Sequence, residues 1–307
     1  MRTSRAGPVV CATPSRTAPR GRGPFVLAPF FALAALAAPA LGEEPKAGAG
    51  DLLVAPPRVV FEGRTRTAEI TLVNTGTRAA TYRVSFVQLR MDEDGVTKEI
   101  DKAEGGELFA DDLVRFSPRQ VTLEPKAAQT VRLQVRKPAD LPPGEYRSHL
   151  LFRAPPAIAT PSADAVGSAP APAAEGMSIQ LIPIYGISIP IIVRHGETSA
   201  AVTLSDLALV PPGGAEANPL LRLRMSRTGS QSVYGNLTIS FTPQGGKSRI
   251  VGQANGVAVW APYGARKVGV PLRPPAGTDL AGGTMRVTYS RADKRDETLA
   301  EAELRLP

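Results

Sequence analysis

From residue 51 to the C-terminus, apolar and polar positions alternate with a period of two. TAEITLVN places Ala68, Ile70 and Leu72 on one face, and YRVSFVQL does the same with Tyr82, Val84 and Phe86. QTVRLQVR sets Val131, Leu133 and Val135 against Arg132, Gln134 and Arg136, and EYRSHLLF aligns Tyr146, Ser148, Leu150 and Phe152. A period of two over such lengths is that of strands with one buried face. NTGT, DEDG and LPPG fall between these runs and carry turn chemistry. No stretch shows a helical period. The pattern resumes after residue 198 in LLRLRMS, LTISF, MRVTY and AEAELRL. Seven or eight strands are predicted between residues 52 and 193, and about seven between 200 and 307. Short alternating strands separated by regular turns predict an all-β chain of two β-sandwiches in tandem.

The boundary is expected at Arg194-His195-Gly196, giving one sandwich over residues 51–195 and a second over 196–307. Gly-Glu-Thr-Ser is a short connector, which predicts a fixed angle between them. Residues 155–176, PPAIATPSADAVGSAPAPAAEG, are rich in Ala, Pro and Ser and have no periodicity. Such a composition buries too little surface to offset its ordering entropy. It is expected to form a long mobile loop at the tip of a hairpin whose arms end at Arg153 and open at Ser178.

Residues 1–42 read as a secretory signal. Arg2, Arg5, Arg16, Arg20 and Arg22 are their only charges, PFVLAPFFALAALAAPALG is the apolar stretch, and Ala38-Pro39-Ala40 fits a small-residue cleavage site. The stretch is short for a bilayer-spanning helix, and Pro29 and Pro39 interrupt it. Removal changes the charge balance. The whole chain has 36 basic and 28 acidic residues; without the five leader arginines the count is 31 against 28, a net charge of +3. No basic stripe for nucleic acid remains, since arginines alternate with apolar residues along the strands. Cys11, the one cysteine, falls in the leader, so the exported chain has no thiol chemistry. His149 and His195 stand in no metal-ligand spacing, and no nucleophile elbow or phosphate-cradling glycine loop occurs. The pattern predicts neither an enzyme nor a cofactor.

One strand stands out. Residues 177–196 read MSIQLIPIYGISIPIIVRHG, and seven of the fifteen residues from 179 to 193 are isoleucine. Fifteen residues span about 50 Å at ~3.3 Å each, well beyond a usual strand. Pro183 and Pro190 interrupt it, and proline in sheets belongs at edges or bulges. Ile179, Leu181, Tyr185, Ile187, Ile189, Ile191 and Val193 share one parity; Ile182, Ile184 and Ile192 take the other. Either this is a surface for a partner, one parity facing the chain's own core and the other the partner, or a core strand bent at Gly186.

PPRVVFEGRTRTAEITLVNTG, followed by RQVTLEPKAAQTVRLQVRKPADLPPGEYRSHLLF, resembles the periplasmic pilus-assembly chaperones. The resemblance covers residues 52–196 well and the second sandwich more loosely, through MSRTGSQSVYGNLTISF and Gly282-Gly283. It implies two immunoglobulin-like domains in a boomerang arrangement, in the periplasm. It implies as partner an exported, pilin-like subunit that lacks a strand, with the chaperone a monomer when free and 1:1 with its client. The lent strand would be residues 177–193, with Ile182, Ile184, Ile187, Ile189 and Ile191 as its client-pairing residues.

By the same resemblance Arg58, in PPRVVF, matches an arginine that grips the client's terminal carboxylate; otherwise it is a solvated arginine at a strand start. The family's partner lysine on the last strand has no counterpart, since no lysine lies between Met177 and His195, and Ser188 or Pro190 falls at its place. The chain thus reads as a non-standard member. Arg194 matches an arginine that ties the two domains together, with Asp140 and Asp279 as its expected acidic partners; otherwise these are three unrelated surface charges. The alternative function is a non-catalytic structural or adhesive tandem-sandwich protein of the cell envelope.

Overall fold

The computed structural model describes residues 51–155, 185–213, 218–275, 277–294 and 296–307. The expected leader, the Ala/Pro/Ser segment beyond Pro155, and Ile182 and Ile184 lie outside the described residues.

The described residues hold strands and no helix. In chain order they are β1 (Leu52–Ala55), β2 (Val59–Phe61), β3 (Thr67–Asn74), β4 (Ala80–Val87), β5 (Leu89–Met91) and β6 (Thr97–Glu99). Then follow β7 (Val114–Ser117), β8 (Gln120–Leu123), β9 (Ala128–Val135), β10 (Gly144–Arg153) and β11 (Gly186–His195). The second half holds β12 (Ala200–Val210), β13 (Leu220–Gly229), β14 (Val233–Pro243), β15 (Arg249–Val259), β16 (Ala265–Pro271), β17 (Gly283–Arg291) and β18 (Thr298–Leu306).

These strands make two immunoglobulin-like sandwiches in tandem. In the first, the sheet β1-β3-β9-β7 faces the sheet β2-β11-β10-β4-β8, and β5 and β6 form a separate hairpin. In the second, β12-β13-β16 faces β15-β14-β17-β18. The alternating positions fill the two cores: Ile70, Leu72, Tyr82, Val131, Leu133, Leu150 and Phe152 in the first, and Leu221, Leu223, Met225, Leu237, Ile239 and Val287 in the second. Each such side chain contributes about 1.5–3 kcal/mol by leaving water. The Tyr146 hydroxyl donates to the carbonyl of Pro142 at 2.9 Å. A tyrosine at the start of the penultimate strand that bonds back a few residues is the corner found in immunoglobulin-like folds.

Two turns show how the local sequence sets the fold. Asn74, buried at the end of β3, donates to the carbonyls of Arg78 (2.7 Å) and Leu123 (3.0 Å) and accepts from the Gly76 N–H (2.9 Å), which closes the NTGT turn. Asp92 accepts from the N–H groups of Asp94 and Val96, and Gly95 takes a positive φ of 81°, so DEDG turns β5 back into β6.

One strand departs from the one-face pattern. In β10 the positions between the core residues, Glu145, Arg147 and His149, are buried as well. Alternation alone predicts a solvated face there. The second sandwich covers it instead, through a third apolar cluster of Met91, Ile192, Ala258 and Trp260.

Candidate functional site

The first strand of the chain changes sheets. β1 pairs antiparallel with β3, but after Pro56 and Pro57, which have no N–H to continue a ladder, β2 joins the opposite sheet and pairs parallel with β11. β2 is three residues long and reaches only Ile191, Ile192 and Val193. Residues 186–190 of β11 therefore pair with β10 on one side and with nothing on the other among the described residues.

Hydrogen-bond parity fixes what that free edge offers. Ala154 donates to the carbonyl of Tyr185 at 3.3 Å, across the pair that continues the β10–β11 ladder. Antiparallel partners alternate between bonded and non-bonded pairs, so Ile187, Ile189 and Ile191 direct N–H and C=O toward β10. Gly186, Ser188 and Pro190 direct theirs outward. The free edge thus presents two N–H groups and two carbonyls, from Gly186 and Ser188; the Pro190 carbonyl faces Val59, where the parallel pairing with β2 begins. Pro190 lacks a donor where β10 needs none, the edge position where proline costs least.

The same parity corrects the side-chain expectation. Ile189 and Ile191 are 4% and 0% exposed, and Ile187 packs against the same core. They fill the first sandwich itself and have nothing left for a client groove. Outward-facing side chains on the free stretch are those of Gly186, Ser188 and Pro190, small and without apolar reach. Beyond them Ile192 shares their face but is covered by Trp260 and Met91. Sequence parity separated these two sets; it could not tell which lay inside.

Arg58 precedes β2 at the mouth of a shallow cleft between the sandwiches, lined also by Pro57, Tyr234, Asn236, Asn255 and Asp293. Its guanidinium carbon sits 4.2 Å from the centre of the Tyr234 ring. No carboxylate among the described residues lies within ion-pair distance of it. Burial, and next the nearby Arg194 charge, pull its pKa down from the ordinary value. The Val59–Ile191 register sets Pro190 level with Arg58, so β11 supplies no second cation to the cleft.

Arg194 has other partners than those expected. Its Nε donates to Glu145 at 3.1 Å and its Nη1 to Glu62 at 2.8 Å. Asp279 instead accepts from the N–H of Ala281 in its own turn, and Asp140 is exposed. The tie between sandwiches is Glu145, which is level with Arg194 in the β10–β11 register and accepts from Ser232 in the turn between β13 and β14 of the second sandwich.

That tie belongs to a network that alternation concealed. Arg147 lies over the rings of Trp260 (5.2 Å) and Tyr263 (5.7 Å) and donates to the carbonyls of Ala261 and Leu89. His149 meets Trp260 edge-on at 6.4 Å, and its Nδ1 has no hydrogen-bond partner. Burial, with the Arg147 charge second, brings its pKa down to about 3. Glu107 takes two bonds from Arg90 (3.0 and 2.7 Å) and one from the Tyr263 hydroxyl. Burial alone would raise Glu107, but these donors outweigh it and bring the carboxyl to about 2. Farther out, Glu93 in the β5–β6 turn receives two bonds from Arg224. The residue pattern held one hint: Glu145, Arg147 and His149 share a parity, and Trp260-Ala-Pro-Tyr263 supplies aromatic faces for an arginine.

No family model matches this chain, and no curated protein matches it. Among solved structures, the YadV chaperone aligns over 83% of this chain and 100% of its own, at 11% identity and a TM-score of 0.39. The fold is similar to that of fimbrial chaperones. CsuC of the archaic chaperone-usher Csu pili of Acinetobacter baumannii, solved with the tip subunit CsuE, aligns over 83% and 97%, at 12% identity and 0.39. The E. coli chaperone DraB aligns over 83% and 98%, at 15% identity and 0.36.

Proposed function

We propose that this protein is exported to the periplasm and acts there as a non-catalytic chaperone for a pilin-like subunit of a surface structure. The client adds a strand to the free edge of β11, as a free monomer becomes a 1:1 complex. Strand addition draws its affinity from main-chain bonds and its selectivity from side-chain pockets. The observation that carries this reading is the short reach of β2. It covers three residues of β11 and leaves 186–190 without a second strand among the described residues, beside a cleft in which no described carboxylate lies within ion-pair distance of Arg58. A client's terminal carboxylate in that cleft would receive charge-assisted hydrogen bonds from the guanidinium. The small outward side chains make this edge a backbone template rather than a set of apolar pegs, and the client would be one whose own residues close over it.

Co-expression with the surface subunits encoded beside its gene tests this. A subunit unstable alone should leave the periplasm in stoichiometric complex with the protein. Ser188→Pro removes one of the two outward N–H groups and no bond to β10, so it should lower the yield of complex several-fold while the free protein melts as before. Undiminished yield with an intact fold would exclude pairing at this edge and return the protein to a passive envelope role.

A further inference from the structure

The sheet that carries β11 has an outer face in two parts. Glu145, Arg147 and His149 lie under the second sandwich; past Leu151 that cover ends. There Arg153 of β10 stands directly opposite Arg83 of β4, and Arg83 stands opposite Gln120 of β8. Arg119, whose carbonyl accepts from the N–H of Val84 at 2.9 Å, holds its guanidinium 5.3 Å from the Phe116 ring centre. The three arginines are exposed and line one depression with Ser85, Gln120 and Ala154. Among the described residues none of the three has a carboxylate within ion-pair distance. Arg90, Arg132, Arg224, Arg286 and Arg291 each hold an acid; other exposed arginines, such as Arg64, Arg115 and Arg249, hold none among the described residues, and what sets Arg83, Arg119 and Arg153 apart is that they share one depression.

Like charges directly opposite on neighbouring strands repel and destabilise a sheet. Here that repulsion is left in place, in a row that continues into the free edge. Arg153 is level with Gly186 in the register, and a Cβ at Gly186 would touch Leu151 Cδ1 at 3.0 Å and Arg153 Cγ at 3.8 Å. The stem of Arg153 thus lies across the first residue of the open stretch, with its charge beside it.

We propose that Arg83, Arg119 and Arg153 form a docking site for the acidic side chains of the polypeptide seated on β11. The inference rests on the strand-addition reading for its occupant and adds what that occupant must carry: carboxylates beyond the end of the strand that pairs with Gly186 and Ser188. Exposed arginines offer bidentate bonds to carboxylates, and three unpaired ones supply the selectivity that Gly186, Ser188 and Pro190 cannot.

The test is a titration of the exported chain at low salt with an extended, alternating Glu-Thr octapeptide, against its Gln-Thr analogue and phosphatidylglycerol vesicles. The acidic peptide should bind about ten-fold more tightly than the neutral one, roughly the worth of one charge-assisted bond. R83Q with R153Q should abolish the difference while the melting temperature stays or rises, because a repulsion is removed. Equal binding of both peptides, unchanged selectivity in the double variant, or preference for the vesicles would each overturn the proposal. Ser188→Pro separates the two readings. If the arginine variants lose the acidic peptide and S188P does not, the charge site stands and strand pairing fails. If client recovery depends on Ser188 and peptide selectivity ignores the arginines, strand pairing stands and this inference fails.

Discussion

The carboxylate of Glu145, on the first sandwich, accepts from the backbone N–H of Ser232 at 3.0 Å and from the Ser232 hydroxyl, on the second. The hydroxyl oxygen in turn accepts from the N–H of Ala261 at 2.8 Å. The Glu145 side chain is 1% exposed and pairs with Arg194 from below. Glu145 therefore links β10, β11 and two turns of the second sandwich through one buried charge. Removing one partner of such a pair strands the other and costs about 3–5 kcal/mol. Glu145→Gln keeps the volume and should lower stability within that range, read from urea unfolding with probes in each sandwich. If the midpoint does not move, the link is ornamental.

Acid should loosen the same interface, and the sign follows from His149. Its pKa in the folded chain, about 3, lies below the ordinary value near 6.5. Between these values the unfolded chain binds a proton that the folded chain refuses. Stability is full above pH ~6.5 and falls as pH drops toward 3, losing about 2 kcal/mol by pH 5. Glu107, held at about 2, adds its own loss only below its unfolded value near 4.3. His149→Phe keeps an aromatic edge against Trp260 and cannot titrate. Melting curves between pH 7 and 5 should slope for the natural chain and flatten for the variant. Parallel slopes would assign the acid sensitivity elsewhere.

Ile191 distinguishes core from client contact. It is fully buried in the first sandwich, opposite Ser148 in the register, so Ile191→Ala should cost about 2–5 kcal/mol through lost contacts and a residual cavity. Any loss of client with this variant should track the loss of folded protein in a chemical denaturation series. A variant that stays as stable as the natural chain while releasing client would return Ile191 to the partner-facing set.

Much of this architecture was legible as rhythm. The strands from Thr67 to Asn74 and from Ala128 to Val135 announce their inner faces at every second residue, because burial on one side of a pleated ribbon forces that spacing. What rhythm conveys is parity, and parity does not say which side is covered twice. In β10, Glu145, Arg147 and His149 read as a wet face and are dry, since the covering surface comes from residues more than eighty positions away. Ile187, Ile189 and Ile191 read as pegs for a partner, but branched aliphatics look alike whether they serve a core within the chain or outside it. That Arg194 would pair with acids was legible, although both acids, Glu62 and Glu145, lie in its own sandwich. The identity of those acids was not, because Asp140 and Asp279 are near in pattern while Glu145 is level in register, and register follows from which strands pair.

Arg58 is the sharpest remaining test, because its contacts within the chain are few. It rests on Tyr234 at 4.2 Å, an interaction worth about 0.5–1 kcal/mol at a partly exposed site, so Arg58→Ala should leave the fold and lower its stability by no more than that. Its value to a client is larger. A guanidinium donating to a carboxylate contributes about 1.5–3 kcal/mol, and R58A should weaken the complex by ten-fold or more. Arg58→Lys keeps the charge but loses the planar fork; with Pro190 in place of a helping cation, a point charge should recover only part of that affinity. Binding of the client with and without its C-terminal carboxylate, measured by titration calorimetry, closes the argument. R58A should penalise the intact client and leave the carboxylate-deleted one unchanged. If both weaken equally, Arg58 shapes the cleft rather than gripping the chain end.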